Sequence, residues 1–166
     1  MTNNNSVSYL DRLYASLPYL FPIASVVGFY ITERAPLFHQ FPILVIIFSP
    51  VIKVDEILSY PIIDFISIRL VVWFSIFFFV VRSYKVSRFI RFNAIQSLLL
   101  DIVVILVSVI IKLLGQVSLL YFILEILINV TFLGITAAFL YSVFQCMRGE
   151  YAEMPIISEA AHHQIL

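Results

Sequence analysis

The run from Ala94 to Leu114 constrains this chain more than any other feature. It is built largely of Leu, Ile and Val, with Asp101 set inside it. Its length meets the ~20 residues that a helix needs to cross a hydrocarbon core roughly 30 Å thick. Leu13–Ile31, Ile62–Val81 and Leu119–Val143 have the same character. A chain of 166 residues that is 62% hydrophobic and 12% charged cannot hide that much apolar surface in one small globule. Its solvent is lipid. This argues against a soluble enzyme, a disordered chain and a nucleic-acid binder, the last also because ten Lys+Arg balance ten Asp+Glu.

The expected fold class is all-α: a polytopic membrane protein with four transmembrane helices. The spans are placed at 13–31, 62–81, 94–114 and 119–143, within one membrane domain over 13–147. Residues 1–12 form a short arm without signal-peptide features, and 148–166 a polar tail. Leu13–Ile31 is the least regular span, because it carries Pro18 and Pro22, which membrane helices tolerate where neighbours re-satisfy the freed carbonyls. Asp64 and Arg69 interrupt the start of the second span. Phe41–Ile52 is apolar but short, holds Pro42 and Pro50, and is followed by Lys53, Asp55 and Glu56. It reads as an interfacial or re-entrant segment between the first and second spans. The continuous apolar runs do not alternate as barrel strands do.

Basic residues orient the chain. The loop 82–93 carries Arg82, Lys85, Arg88 and Arg91, with Arg12 before the first span and Arg148 after the last. Arg34, Lys53 and Lys112 fall on the other face. Both termini and the basic loop are therefore expected on the cytoplasmic side, or the stromal side in a plastid. Lys85, Arg88 and Arg91 recur every three residues among Val86, Phe89, Ile90 and Phe92. Such a basic amphipathic turn suits anionic lipid headgroups or a docked partner.

An ionisable group in the bilayer core costs roughly 2.5–3.5 kcal/mol on insertion scales. Asp101 and Glu125 are therefore expected to face the bundle or a hydrated cavity. On a helical period Asp101 shares a stripe with Asn93, Ser97, Ser108 and Lys112. A second stripe joins Ser118, Tyr121, Glu125, Asn129 and Thr136, with Glu125 and Asn129 one turn apart. Isolated hydroxyls and amides more often satisfy a neighbouring helix, and the costlier carboxylates point more strongly to a further role. Asn93, Ser97, Asp101, Glu125 and Asn129 are the candidate stripe or partner contacts. Gly134 and Ala138, opposite Glu125, form a small-residue pair suited to close helix packing.

Nothing in the residue order suggests catalysis. Four Gly leave no glycine-rich phosphate loop, and the three His (His39, His162 and His163) form no zinc motif. His162 and His163 read as a solvated pair in the tail, and the single Cys146 can form neither an internal disulfide nor a Cys-based metal cluster. No cofactor, metal site or enzyme activity is expected.

The string Ser87–Asp101, SRFIRFNAIQSLLLD, resembles the hallmark segment of the twenty-kilodalton subunit family of the translocon at the inner chloroplast envelope, the TIC complex. SLPYLFPI (Ser16–Ile23), FHQFP (Phe38–Pro42), Asn129–Ser142 and the tail RGEYAEMPIISEAAHHQ resemble the family's first segment, last helix and C-terminus. The resemblance implies a four-helix membrane protein of protein import, a core translocon component and candidate channel subunit. It also implies other membrane subunits and a preprotein in transit as partners. The family includes plastid-encoded algal and cyanobacterial relatives. The positions matching its motif are Arg88, Arg91, Asn93, Gln96 and Asp101, and no catalytic residues carry over. The rivals are a structural or assembly subunit of another photosynthetic-membrane complex and a small-solute or ion carrier. The carrier is disfavoured because no internal repeat is present.

Overall fold

The structure is a computed structural model that describes residues 7–32, 36–64, 66–154 and 157–164. Helix α1 (Tyr9–Ser16) starts at Ser8, whose Oγ accepts from the Leu10 amide. A 3-10 turn over Leu17–Tyr19 leads into α2 (Leu20–Thr32). Pro18 opens that turn, and Pro22 lies in the first turn of α2. Proline supplies no amide hydrogen, so the two interrupt the backbone ladder where α1 passes through the 3-10 turn into α2. Tyr9–Ile31 is still long and apolar enough to cross a membrane.

Next come α3 (Pro36–Gln40) and α4 (Ile43–Leu58). A two-stranded antiparallel hairpin pairs β1 (Pro61–Ile63) with β2 (Ile66–Ser67). Helix α5 (Ile68–Ser75) is capped by Ser67 and continues as a wider π-helical segment, Ile76–Val81. The two long helices are α6 (Arg88–Leu114), capped by Ser87, and α7 (Tyr121–Arg148) after a 3-10 turn at Ser118–Leu120. Helix α8 (Ile157–Gln164) closes the chain.

Helix α2 is the hub and packs against α4, α6 and α7. Tyr30 of α2 stacks near Phe132 of α7 at 4.5 Å, and Phe38 and Phe48 pack edge-on to Phe132, each at 5.4 Å. Of the three spans, the first is the most enclosed (56% of its most apolar window buried) and α7 the least (22%). Hydropathy does not track position: the least apolar span is central, and the outer faces of α6 and α7 are left for lipid or other chains.

Several expectations are corrected. The segment placed at 41–52 is part of a 16-residue helix, α4, that takes in Pro50, Lys53, Asp55 and Glu56. At 1.5 Å per residue α4 is about 24 Å long, short of a crossing. The span placed at 62–81 becomes helical only at Ile68. Pro61 suits a strand start, and the Ser67 side chain supplies the helix cap. The hairpin makes the fold less than wholly helical. The last long helix continues past Val143 to Arg148, as its polar end at Gln145 and Arg148 suggests, and the basic segment 82–93 already enters α6 at Arg88. Part of the polar tail folds back: α8 packs on α6, and Ala152, Ser158 and Ala161 are buried. Arg34 lies outside the described residues, as do the side chains of His39, Ser118, His162 and His163.

Arg12 Nη1 donates to the Met147 carbonyl at 3.1 Å, so the start of the first span and the end of the last meet at one end of the bundle. Gly149 closes α7 with φ +78°, where the Gly149 and Glu150 amides return to the Cys146 and Gln145 carbonyls. A Cβ there would also stand 3.0 Å from Arg12 Nε. Gly149→Ala is expected to cost about 1–2 kcal/mol through its left-handed backbone. Gly134→Ala, with no heavy atom within 4 Å of the new methyl, should be neutral or gain up to about 1 kcal/mol. Unfolding of the detergent-solubilised chain measures both.

Candidate functional site

Two polar layers cross the interior. The first is centred on Arg69, in the first turn of α5. Its Nη2 donates to Asp55 Oδ1 of α4, and its Nη1 donates to Ser25 Oγ of α2. The Ser25 hydroxyl donates in turn to Asp101 Oδ1 of α6, while Arg69 Nη1 stands 3.9 Å from that oxygen. Four helices therefore meet at one guanidinium. Asp101 is wholly buried, and its Oδ2 has no hydrogen-bond partner among the described residues. Gly28 lets α4 approach, because a Cβ there would collide with the Asp55 carboxyl. Burial pushes the Asp55 carboxyl above its ordinary range, against the opposing pull of Arg69.

Two cavities flank this layer. One, about 230 Å³, includes Ser25, Asp55 and Arg69 and follows α6 along Ser108 to the exposed Lys112. The other, about 280 Å³, lies between α5 and α6 and is lined by Arg69, Trp73 and Asp101 among apolar side chains. The Trp73 indole N–H also lacks a partner.

The second layer lies about two turns nearer the start of α6. Asn93 Oδ1 accepts from the Tyr19 hydroxyl at 3.0 Å and from the Cys146 thiol at 3.3 Å. Its Nδ2 donates to the Phe89 carbonyl at 2.9 Å. Gln96 Nε2 donates to Tyr19 Oη at 2.9 Å and to the Ala152 carbonyl at 2.6 Å, and its Oε1 accepts from the Ser158 hydroxyl at 2.9 Å. Asn93 and Gln96 thus bind the first span, α7 and the folded-back tail to α6. Their amides have no exposed surface and several partners. Buried side-chain networks of this kind fix one arrangement, since a half-satisfied one is costly.

The expected site residues divide. Asn93, Ser97 and Asp101 face inward, with Ser97 donating to its own helix at the Ala94 carbonyl. Ser108 and Lys112 continue the line into the first cavity. Asn129 Oδ1 accepts from the Tyr30 hydroxyl at 2.5 Å. Glu125, expected to face inward, is exposed on α7, one turn from the helix start, where its head can reach the interface. Gly134 faces out, and Ala138 packs against the core. Arg82, Lys85 and Arg88 are exposed, whereas Arg91 turns in: its Nε donates to the Val81 carbonyl at 2.8 Å, and its guanidinium lies 5.5 Å from the Tyr84 ring. Among the described residues no group of three or more His, Cys, Asp or Glu could hold a metal ion.

Sequence reading missed Arg69, Ser25 and Asp55. Arg69 and Asp55 look like span boundaries on the chain, and their partnership is a tertiary fact. The available signal was their cost, since charges of opposite sign near apolar runs are cheapest when paired.

A family model described as "Chloroplast import apparatus Tic20-like" matches residues 2–161. The chain is 33% identical over 171 residues to a Tic20 family protein of Synechocystis, covering 99% of each. It is 26% identical over 169 residues to Protein TIC 20-v, chloroplastic, of Arabidopsis thaliana, covering 98% of this chain and 75% of that one. A Tic20 family protein Ycf60 of Porphyra purpurea is 32% identical over 99 residues, 58% of this chain and 49% of the relative.

Removing Arg69 alone strands two carboxylates. Arg69→Leu is expected to destabilise the chain by about 3–5 kcal/mol, and adding Asp55→Leu and Asp101→Leu should recover most of that loss. Gln96→Leu leaves the Tyr19 hydroxyl, the Ala152 carbonyl and the Ser158 hydroxyl short of a partner, at about 1–3 kcal/mol each at most. It should also free the tail to protease. Denaturant titration in micelles and limited proteolysis read these outcomes.

Proposed function

This chain belongs to the Tic20-like family of the chloroplast import apparatus, and from that premise we propose that it is a membrane subunit of a protein-import translocon. It contributes to the channel, or to assembly of the channel, for unfolded preproteins at a plastid inner envelope, or serves as the cyanobacterial counterpart. The observation that carries this reading is the match over residues 2–161, which takes in both polar layers.

Three helices, Tyr9–Ile31, α6 and α7, are long and apolar enough to cross. The shorter apolar helix Ile68–Val81, too short to span unaided, is in this reading the fourth pass that returns the chain to the end it started from. The Arg12–Met147 and Gln96–Ala152 bonds bring both terminal regions to the α6 start. The basic residues at that end support a stromal or cytoplasmic face in this reading. Exposed Arg82, Lys85 and Arg88 suit anionic headgroups there.

Size sets the division of labour. Water occupies about 30 Å³ per molecule, so spaces of about 230 and 280 Å³ hold roughly eight or nine waters or a side chain or two, and no threaded polypeptide. A peptide-wide path needs other chains beside this one. The outer side of α7 is available to them: Gly134 is open, and Phe122, Val130, Leu133 and Leu140 are exposed.

Tagged full-length chain, purified in mild detergent with a precursor arrested in transit, should bring down that precursor with further translocon subunits. Gly134→Leu should leave the isolated chain folded but shrink the native complex. Recovery of photosystem or dehydrogenase subunits, with no precursor, would overturn the import reading in favour of an assembly role.

A further inference from the structure

The geometry points to Asp101, at the wall of the cavity between α5 and α6, as the docking point for a basic side chain of an incoming polypeptide. This rests on the import reading and names what the site would take from the substrate.

The polar layer is short of positive charge. Two carboxylates, Asp55 and Asp101, share the guanidinium of Arg69. Arg69 donates to Asp55 through Nη2 and to Ser25 through Nη1, and its Nη1 stands 3.9 Å from Asp101 Oδ1, an ion pair without a direct hydrogen bond. Asp101 therefore receives only the Ser25 hydroxyl on Oδ1, and its Oδ2 is left without a donor although the side chain has no exposed surface. A carboxylate oxygen accepts only, so the missing partner is a donor, and a cationic one satisfies charge as well. Lys112 does not supply it. Eleven residues further along α6, it stands about 16 Å away along the axis. The groups around Asp101 from the other elements are Ser25 of α2, Asp55 of α4 through Arg69, Arg69 itself of α5, and Trp73 of α5, whose indole N–H lines the same space without reaching hydrogen-bond distance of a partner.

The cavity defines the shape of the ligand. About 280 Å³ forms an open, almost wholly apolar groove along Leu70, Phe74 and Ile105, with Arg69, Trp73 and the buried Asp101 at its base. An apolar stem suits the groove, and a strongly donating cation at its tip suits the carboxylate beneath, which is the build of Lys and Arg. A free anion is repelled by the carboxylates. Plastid transit sequences are amphipathic, rich in Arg and Ser and poor in acidic residues. They present basic groups without the carboxylates that would compete with Asp101.

Trp73 is the single tryptophan of the chain and lines this cavity, so its fluorescence reports occupancy. The full chain in nanodiscs of uncharged lipid would be titrated with a Trp-free, Arg- and Ser-rich amphipathic peptide and with the same peptide carrying Gln for Arg. A saturable change in Trp73 emission is expected with the first peptide only, weakened at least tenfold by Asp101→Asn and retained by Asp101→Glu. Should Asp101→Asn fail to fold, carbodiimide coupling of a Lys-bearing peptide to the unaltered chain replaces it, with the cross-link expected at Asp101. An equal response to the Gln peptide, a cross-link at other carboxylates alone, or the full change evoked by potassium chloride or by pH without peptide would overturn the proposal. Translocon partners that co-purify while Trp73 ignores the peptide defeat the docking point alone. Peptide binding without such partners defeats the import reading and leaves the site.

Discussion

Arg69 must find its partners inside the protein, because no water lies along the lipid-facing sides of the bundle to serve it. That requirement brings α2, α4, α5 and α6 to one point. Asp55 reaches across from a helix too short to cross, Ser25 sits between guanidinium and carboxylate, and Asp101 comes from the middle of α6. Lipid tails give no hydrophobic drive for helices to associate, so polar contacts and close packing have to do it. The jointed first span then becomes the hub, since it alone contributes to both polar layers and to the aromatic cluster around Phe132.

The two layers differ in how complete they are. Around Asn93 and Gln96 each amide has several partners, and the layer ties the tail and α7 to α6. The string that carries the family resemblance is thus, at these two positions, a clamp at one end of the bundle. Around Arg69 the satisfaction is partial, and cavities adjoin it on two sides. The layer toward the termini is the tighter one, with the Ser142 hydroxyl beside Tyr19 left unpartnered among the described residues, and the layer deeper in the bundle is the more open.

Much of this was legible on the chain. The runs 94–114 and 119–143 are long enough that only a crossing helix suits them, and the structure extends each by a few residues. The inward stripe of Asn93, Ser97 and Asp101 followed from helical periodicity, because α6 keeps one face against α1 and α2 over that stretch. The same reasoning failed for Glu125. Periodicity says which residues share a face and is silent on which face meets the protein, and α7 touches its neighbours with only a narrow side. The hairpin before α5 was missed because apolar Ile62, Ile63 and Ile66 read as span, while Pro61 and the capping Ser67 decide otherwise.

By itself the sequence determined the solvent, the helical class and the polar residues that cannot face lipid. These follow from local cost: a run of apolar residues, or a carboxylate within one, carries its penalty wherever the chain goes. Only the tertiary structure decided which charge answers which. Asp55, Arg69 and Asp101 are 14 and 32 positions apart along the chain, and no periodic rule links them. Their pairing exists because the Gly28 surface of α2 lets α4 come near enough for one guanidinium to serve both helices.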